Sequence, residues 1–220
     1  MIKNTLKDIC LFGSLNEKQI DRLSQISSIK KFRPGNILFY EGDEPKNLYF
    51  LLDGLVKLYR YDINDNKNIL SYYYSQALIA EASTLQRTPH QVSAECETSS
   101  TILAVSFNEF EKEFLRDPDI SLAIIMQLVN KVKQLMNTNM QQTSMQKLAN
   151  LIFENHELFN KLKNYKIAEI LNMAPETFSR NLKKLQANGI ISYDNNNFEI
   201  KNKEELSNLF ECCPSYTAEK

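Results

Sequence analysis

The chain has 220 residues, 43% apolar and 24% charged, with a formal net charge of −1; that excludes a disordered polyelectrolyte and allows a buried core. So balanced a charge gives no overall sign of a nucleic-acid binder, and any such surface has to be local. No apolar run approaches the roughly 20 residues of a membrane helix, and the N-terminal MIKNTLKDIC lacks the apolar stretch of a signal peptide, so a cytoplasmic protein with no membrane partner is expected.

Residues 1–31 read as a helical N-terminal segment. In LNEKQIDRLSQI the apolar positions Leu15, Ile20, Leu23 and Ile26 recur near the helical period, and Asn16 with Gln19 makes a capping pair. From Phe32 the texture changes. Short runs rich in Ile, Leu, Tyr, Phe and Val are broken by Pro34-Gly35, Gly42-Asp43, Pro45 and Asp53-Gly54, which are turn signals between strands. DINDNKN is a further turn, followed by ILSYYYS, and after RTPHQ come VSAECET and STILAVS. Seven or eight short strands predict an antiparallel jelly roll or barrel.

After Pro118 the period switches to that of one long helix. Ile125, Leu128, Val132, Leu135 and Asn139 step by three and four, the spacing of a coiled-coil seam, and Asn139 on it fits a dimer in which two copies of that residue face each other; the run covers few heptads, and a stripe buried against the chain's own domain is the alternative. Ile124 and Met136 lie beside that seam and are placed to pack on the barrel. Gln141 to Ser144 reads as a hinge. Beyond it helices are predicted over 145–158, 165–171 and 175–188, then a hairpin of GIISYD and FEIK turning at Asn195–Asn197. Helix, helix–turn–helix and hairpin make a winged helix.

The stretch MAPETFSRNLKKLQ carries the chemistry. Pro175 suits the first helical position, although Ala174 before it is a poor cap. At 100° per residue Phe178, Leu182 and Leu185 fall on one face, to dock on Ile167, Ile170 and Leu171, while Glu176, Ser179, Arg180 and Lys183 fall on the other. A helix that enters the major groove needs that division. Arginine can donate two hydrogen bonds to guanine, glutamate can accept from cytosine, serine can meet an edge or a phosphate, and lysine farther along suits phosphate. Between Lys161 and Lys184 there are six basic residues against two acidic ones, a local surplus of +4.

In this order of parts the chain resembles the cyclic-AMP receptor / fumarate–nitrate-reduction regulators of bacterial transcription, from about Leu11 to Leu209. FRPGNILFYEGDEPKNLYFLLDGLVKLY is similar to the first strands of the family's sensor barrel, with Gly35, Gly42 and Gly54 at its strand turns. FEKEF and the helix after Pro118 are similar to its dimerisation helix, and IAEILNMAPETFSRNLKKLQANGII to its helix–turn–helix. The resemblance implies an α+β protein: a jelly-roll sensor with N-terminal helices over 1–117, a dimerisation helix over 118–141, a winged helix–turn–helix over 142–211 and a tail over 212–220. It implies a homodimer whose partners are a palindromic DNA site and RNA polymerase. Glu176, Thr177, Ser179, Arg180 and Lys183 become its DNA-contacting residues, with Lys183 on phosphate. Glu-x-x-Ser-Arg is the pattern that the fumarate–nitrate-reduction branch pairs with TTGA…TCAA half-sites. The cyclic-AMP branch has arginine before the glutamate and glycine before the second arginine, where this chain has Pro175 and Ser179. Surfaces that contact polymerase have no readable local code, so activation and repression are not separated.

Departures from the family bear on the signal. Ala80 stands where a cyclic-nucleotide pocket has glycine, next to a retained Glu81, and Val92 stands where it has the phosphate-neutralising arginine. Burying a phosphate without that charge is costly, so cyclic AMP is not expected, and Arg87 is a weak substitute. An iron–sulfur sensor needs clustered cysteines, but only Cys10 is near the N-terminus; Cys212 and Cys213 read as reduced thiols in a frayed end. Haem stays open. His90 and His156 are the only histidines, and His90 in its turn is expected to be exposed. A ligand-binding regulatory module that reads no DNA is the alternative. An enzyme is not expected, because no nucleophile–base pair, HExxH spacing or phosphate-binding glycine loop is found.

Overall fold

The computed structural model describes residues 2–13, 15–74, 77–139, 143–194 and 197–210, with the side chains of 10, 127, 130, 131, 133–139 and 154 outside the description. Two compact units, Met1–Val132 and Lys133–Lys220, divide the chain.

The first unit opens with α1 (Ile2–Lys7), a single 3-10 turn at Cys10–Phe12 and α2 (Glu17–Gln25). Asn16 and Gln19 cap each other reciprocally as expected: the Gln19 amide donates to Asn16 Oδ1 and the Asn16 amide to Gln19 Oε1, both at 3.0 Å. Eight strands follow: β1 (Ser27–Phe32), β2 (Ile37–Phe39), β3 (Asn47–Asp53), β4 (Leu55–Tyr61), β5 (Lys67–Tyr74), β6 (Ala77–Ile79), β7 (Ser93–Cys96) and β8 (Ser100–Ser106). A short α3 (Glu81–Gln86) lies between β6 and β7, and α4 (Phe107–Glu113) and α5 (Pro118–Asn139) end the series. The helical reading of 1–31 is thus too long, since β1 begins at Ser27. Its SSIKK alternates half-buried and exposed positions, and a strand buried on one face only carries too few apolar residues to announce itself.

The strands form two antiparallel four-stranded sheets, β1-β8-β3-β6 and β2-β7-β4-β5, which is the jelly-roll layout. The central strands β3 and β8 are buried on both faces. Leu48, Phe50, Leu103 and Val105 point to the N-terminal helices, while Leu51 and Ile102 meet Phe39, Val56, Leu58 and Cys96 of the other sheet. Period-two alternation between two apolar environments is why LYFLL and TILAV read as continuous apolar runs. At the β3–β4 turn Gly54 has φ +107, and a Cβ there would lie 2.7 Å from Ser100 Cα, so only glycine lets the turn pass that strand.

Pro118 takes the first position of α5, and Asp117 Oδ1 accepts the Asp119 amide at 3.0 Å. Ile120 and Ile124 of α5 are buried and Leu128 is half-buried against the sandwich core. Of the expected seam residues, Ile125 and Val132 are exposed. Leu128 packs on its own unit, and the outward apolar stripe is Leu122, Ile125, Met126, Val129 and Val132, four of them more than half exposed and Val129 39% exposed. The stripe steps by three and four along Leu122, Ile125, Val129 and Val132, one position out of phase with the expected seam at Leu128. The side chains of Leu135, Met136 and Asn139 lie outside the described residues, as do residues 141 and 142 of the expected hinge.

The second unit contains α6 (Ser144–Asn155), α7 (Leu158–Lys161), α8 (Asn164–Ile170), α9 (Pro175–Ala187), the hairpin β9 (Ile191–Asp194) and β10 (Asn197–Ile200), and α10 (Lys203–Asn208). The expected single helix over 145–158 is two, α6 and the start of α7. Its core gathers Leu148, Ile152, Phe159, Ile167, Phe178 and Leu185, with Phe159 stacked on Phe198 of the hairpin at 4.4 Å and on Phe178 at 6.4 Å. The Phe198 amide donates to Asn160 Oδ1 at 2.8 Å, tying hairpin to helices; the tip residues Asn195 and Asn196 lie outside the described residues. Phe178 is 1% exposed and links α9 to this ring stack. Phe178→Ala is expected to cost about 3–5 kcal/mol, read as loss of the second unit's thermal transition by calorimetry while the first unit's remains.

Candidate nucleic-acid interface and sensor site

The turn before α9 sets how that helix is presented. Asn172 has φ +48, a left-handed conformation that asparagine tolerates. It lets the Asn172 amide reach Glu169 O and the Met173 amide reach Ala168 O, both at 2.9 Å, closing α8. Pro175 then starts α9, with Ala174 at the cap and no side-chain capping bond, as the sequence suggested.

The two faces of α9 fall as predicted. Phe178, Leu182 and Leu185 are buried, while Glu176, Ser179, Arg180 and Lys183 are exposed and Thr177 is half-buried. Pro175, Glu176, Ser179, Arg180 and Lys183 line one open surface depression. A carboxylate, a hydroxyl, a guanidinium and an ammonium are thus offered side by side from one rigid helix. Of the three docking residues expected on the preceding helix, Ile167 is fully buried and Ile170 and Leu171 are half-buried. One inward residue of α9 was missed. Asn181 is 8% exposed and its Nδ2 donates to Ser144 Oγ at 3.0 Å; a polar residue on an apolar face, at helical spacing from Phe178 and Leu185, was the available signal.

In the sensor unit Ala80 keeps the glycine-like backbone, with φ 50 and ψ 35, and caps α3 without a side-chain bond. An alanine in that conformation costs about 1–2 kcal/mol. Glu81 beside it is buried, and Val92 packs half-buried against the apolar core between the sheets. Arg87 is directed elsewhere: its guanidinium pairs with Glu111, donates to Asn108 Oδ1 at 3.3 Å and lies over the Phe107 ring. Among the described residues, no group of three or more His, Cys, Asp or Glu side chains is placed to hold a metal ion, and no helix is long and apolar enough to cross a membrane.

His90 is not exposed as expected. It is 3% exposed and stacks on Phe39 with ring centroids 3.9 Å apart. Its backbone holds the β2–β3 turn: the Gly42 amide donates to His90 O at 2.7 Å and the His90 amide to Asp43 O at 2.9 Å. Nδ1 makes no hydrogen bond. Burial pushes the imidazole pKa below its ordinary value, against a smaller opposing pull from Asp43. The unfolded chain therefore binds a proton first as pH falls, so stability is complete above about pH 6.5 and is lost as pH drops toward the lower folded value, no more steeply than about 1.4 kcal/mol per pH unit. Glu113, held below the carboxylate range by its hydrogen bond to Arg22, and Asp62, held there by the Asn66 amide, act only in more acid solution. His90→Phe keeps the ring stack, and urea titrations of it are expected to show no loss between pH 6.5 and 5 where wild type declines.

Comparisons with known proteins find one domain family in each unit. The cyclic nucleotide-binding domain family matches residues 29–117 and the Crp-like helix-turn-helix domain family matches residues 144–209. The fumarate and nitrate reduction regulatory protein of Yersinia pestis is 22% identical over 93% of this chain and 88% of its own length. The type II regulatory subunit of cAMP-dependent protein kinase of Drosophila melanogaster is 28% identical over 60% of this chain, which spans only 33% of that protein. A solved regulatory protein from Silicibacter pomeroyi DSS-3 is 25% identical, with 96% of this chain and 98% of that one covered at a TM-score of 0.69. With a sensor sandwich of the first family, a helix–turn–helix of the second and the same order of parts along its length, the chain belongs to the cyclic-AMP receptor / fumarate–nitrate-reduction family of DNA-binding transcription regulators.

Proposed function

We propose that the chain works as a homodimer that reads a palindrome of TTGA…TCAA half-sites and answers a signal other than cyclic AMP. The observation that carries this reading is the outward face of α9, where Glu176, Ser179 and Arg180 share one exposed surface with Lys183 behind them. The Glu-x-x-Ser-Arg spacing supports TTGA half-sites by family resemblance, and the outward stripe of α5 supports pairing of two copies. RNA polymerase is the protein partner that this reading requires. Val92 in an apolar cluster and Arg87 paired with Glu111 support a sensor that does not take a nucleotide phosphate. Cys10 alone does not make an iron–sulfur cluster part of the reading.

Fluorescence anisotropy with a labelled TTGA palindrome and a scrambled duplex tests the first half. Affinity for the palindrome is expected to exceed that for the scrambled duplex by about 10³-fold or more at one salt concentration, and both affinities to fall with salt. Equal affinities at every salt concentration overturn the reading. For the signal, added cyclic AMP is expected to leave DNA affinity unchanged, and a rise with cyclic AMP refutes that half. The visible spectrum of protein purified without oxygen, with and without haem and nitric oxide, separates haem-linked sensing, marked by a Soret band that moves with nitric oxide, from control by an organic effector or by none.

A further inference from the structure

We propose that Asn181 is a positioning residue for DNA reading: through Ser144 it fixes the rotation of α9 about its own axis. The inference rests on the reading of α9 as the base-contacting helix. Asn181 lies on the buried side of α9 with Phe178, Leu182 and Leu185, and its Nδ2 donates to Ser144 Oγ at 3.0 Å. Ser144 is the first residue of α6, and the start of that helix is itself held by a reciprocal cap. Thr143 Oγ1 accepts the Gln146 amide at 3.2 Å, and the Thr143 amide donates to Gln146 Oε1 at 2.9 Å.

An apolar side chain at 181 would also pack on this face, and a buried amide contributes little net stability once its desolvation is counted. What the polar pair adds is direction. Apolar ridges accept a spread of packing angles, whereas a hydrogen bond weakens quickly off its axis. Buried asparagines select one register between helices by the same means. The outward face converts that constraint into function. Side-chain tips lie about 5–6 Å from a helix axis, so a roll of about 20° shifts Arg180 and Glu176 by about 2 Å, more than a bidentate contact to a base edge tolerates. Non-specific attraction to phosphate survives such a shift because it has little directionality.

The test compares affinities for the TTGA palindrome and a scrambled duplex, with melting curves, for the full chain and for Asn181→Leu, Ser144→Ala, Ser144→Thr and the Asn181→Leu/Ser144→Ala double variant. Asn181→Leu and Ser144→Ala are each expected to lower the ratio of the two affinities about tenfold, and the double variant no further. Ser144→Thr keeps the hydroxyl and is expected to keep the ratio, and Asn181→Leu is expected to melt no lower than wild type. A wild-type ratio near one defeats the DNA reading and this inference with it. A high wild-type ratio that Ser144→Ala retains overturns this inference alone, however Asn181→Leu folds.

Discussion

Arg180→Ala is expected to weaken binding to the TTGA palindrome by about 10-fold or more per half-site, and so by about 100-fold or more over both, because each copy of the proposed homodimer loses one bidentate base contact, while affinity for scrambled duplex falls only slightly. The asymmetry follows from where the guanidinium sits. Arg180 is exposed on α9 beside Ser179 and opposite the buried Phe178 and Leu182, so its removal takes away no core contact and the melting temperature should hold. A phosphate contact would behave differently: Lys183→Ala should weaken both duplexes alike and flatten the salt dependence by about two counterions, one from each copy of the proposed homodimer. Affinity for a panel of duplexes, each with one substituted base pair, reads the difference. With Arg180→Ala one position should cease to matter, and if every position still matters as in wild type, Arg180 does not read a base.

In the proposed homodimer, Val129→Glu on α5 is expected to give a folded monomer and to reduce affinity for the full palindrome by about 100-fold or more, because the second half-site is then no longer held at high effective concentration. The stripe of Leu122, Ile125, Met126, Val129 and Val132 leaves large apolar side chains in water on the sensor unit, and a second copy with the same stripe removes them. A carboxylate in the middle of that contact would be buried twice without a partner. Leu128→Ala separates this seam from its neighbour. Leu128 packs against the sandwich core, so its truncation should lower the melting temperature of the first unit and leave the dimer intact. Sedimentation velocity at micromolar concentration reads both variants. A dimeric Val129→Glu together with a monomeric Leu128→Ala would place the seam back on Leu128.

The elements that could be read directly are those in which residue chemistry and local geometry agree. Asn16 and Gln19 declare a helix start because each completes the other's hydrogen bond within three residues. Pro175 and the spacing of Phe178, Leu182 and Leu185 declare both the start and the buried side of α9, and so its outward Glu176, Ser179 and Arg180. Turn residues cut the sandwich into strands because a turn such as that at Gly54, with φ +107, needs the left-handed backbone that glycine adopts without strain. For all of these the deciding interactions span a few residues.

Where partners are distant in sequence, the reading failed in identifiable ways. The threonine and proline before His90 mark an exposed turn, but that turn folds back so that His90 lies on Phe39, fifty-one positions earlier. A helix such as α5, apolar on two sides, does not say which side its own domain will cover; the sandwich took Ile120, Ile124 and Leu128 and left Val129 outside. Asn181 was passed over on α9, and no local pattern pairs it with Ser144. Short-range spacing thus made the two faces of α9 and the order of domains legible. Which side of α5 packs on the sandwich, the burial of His90 and the contact of Asn181 with Ser144 came from packing, since each is fixed by surfaces that meet only after the chain has folded.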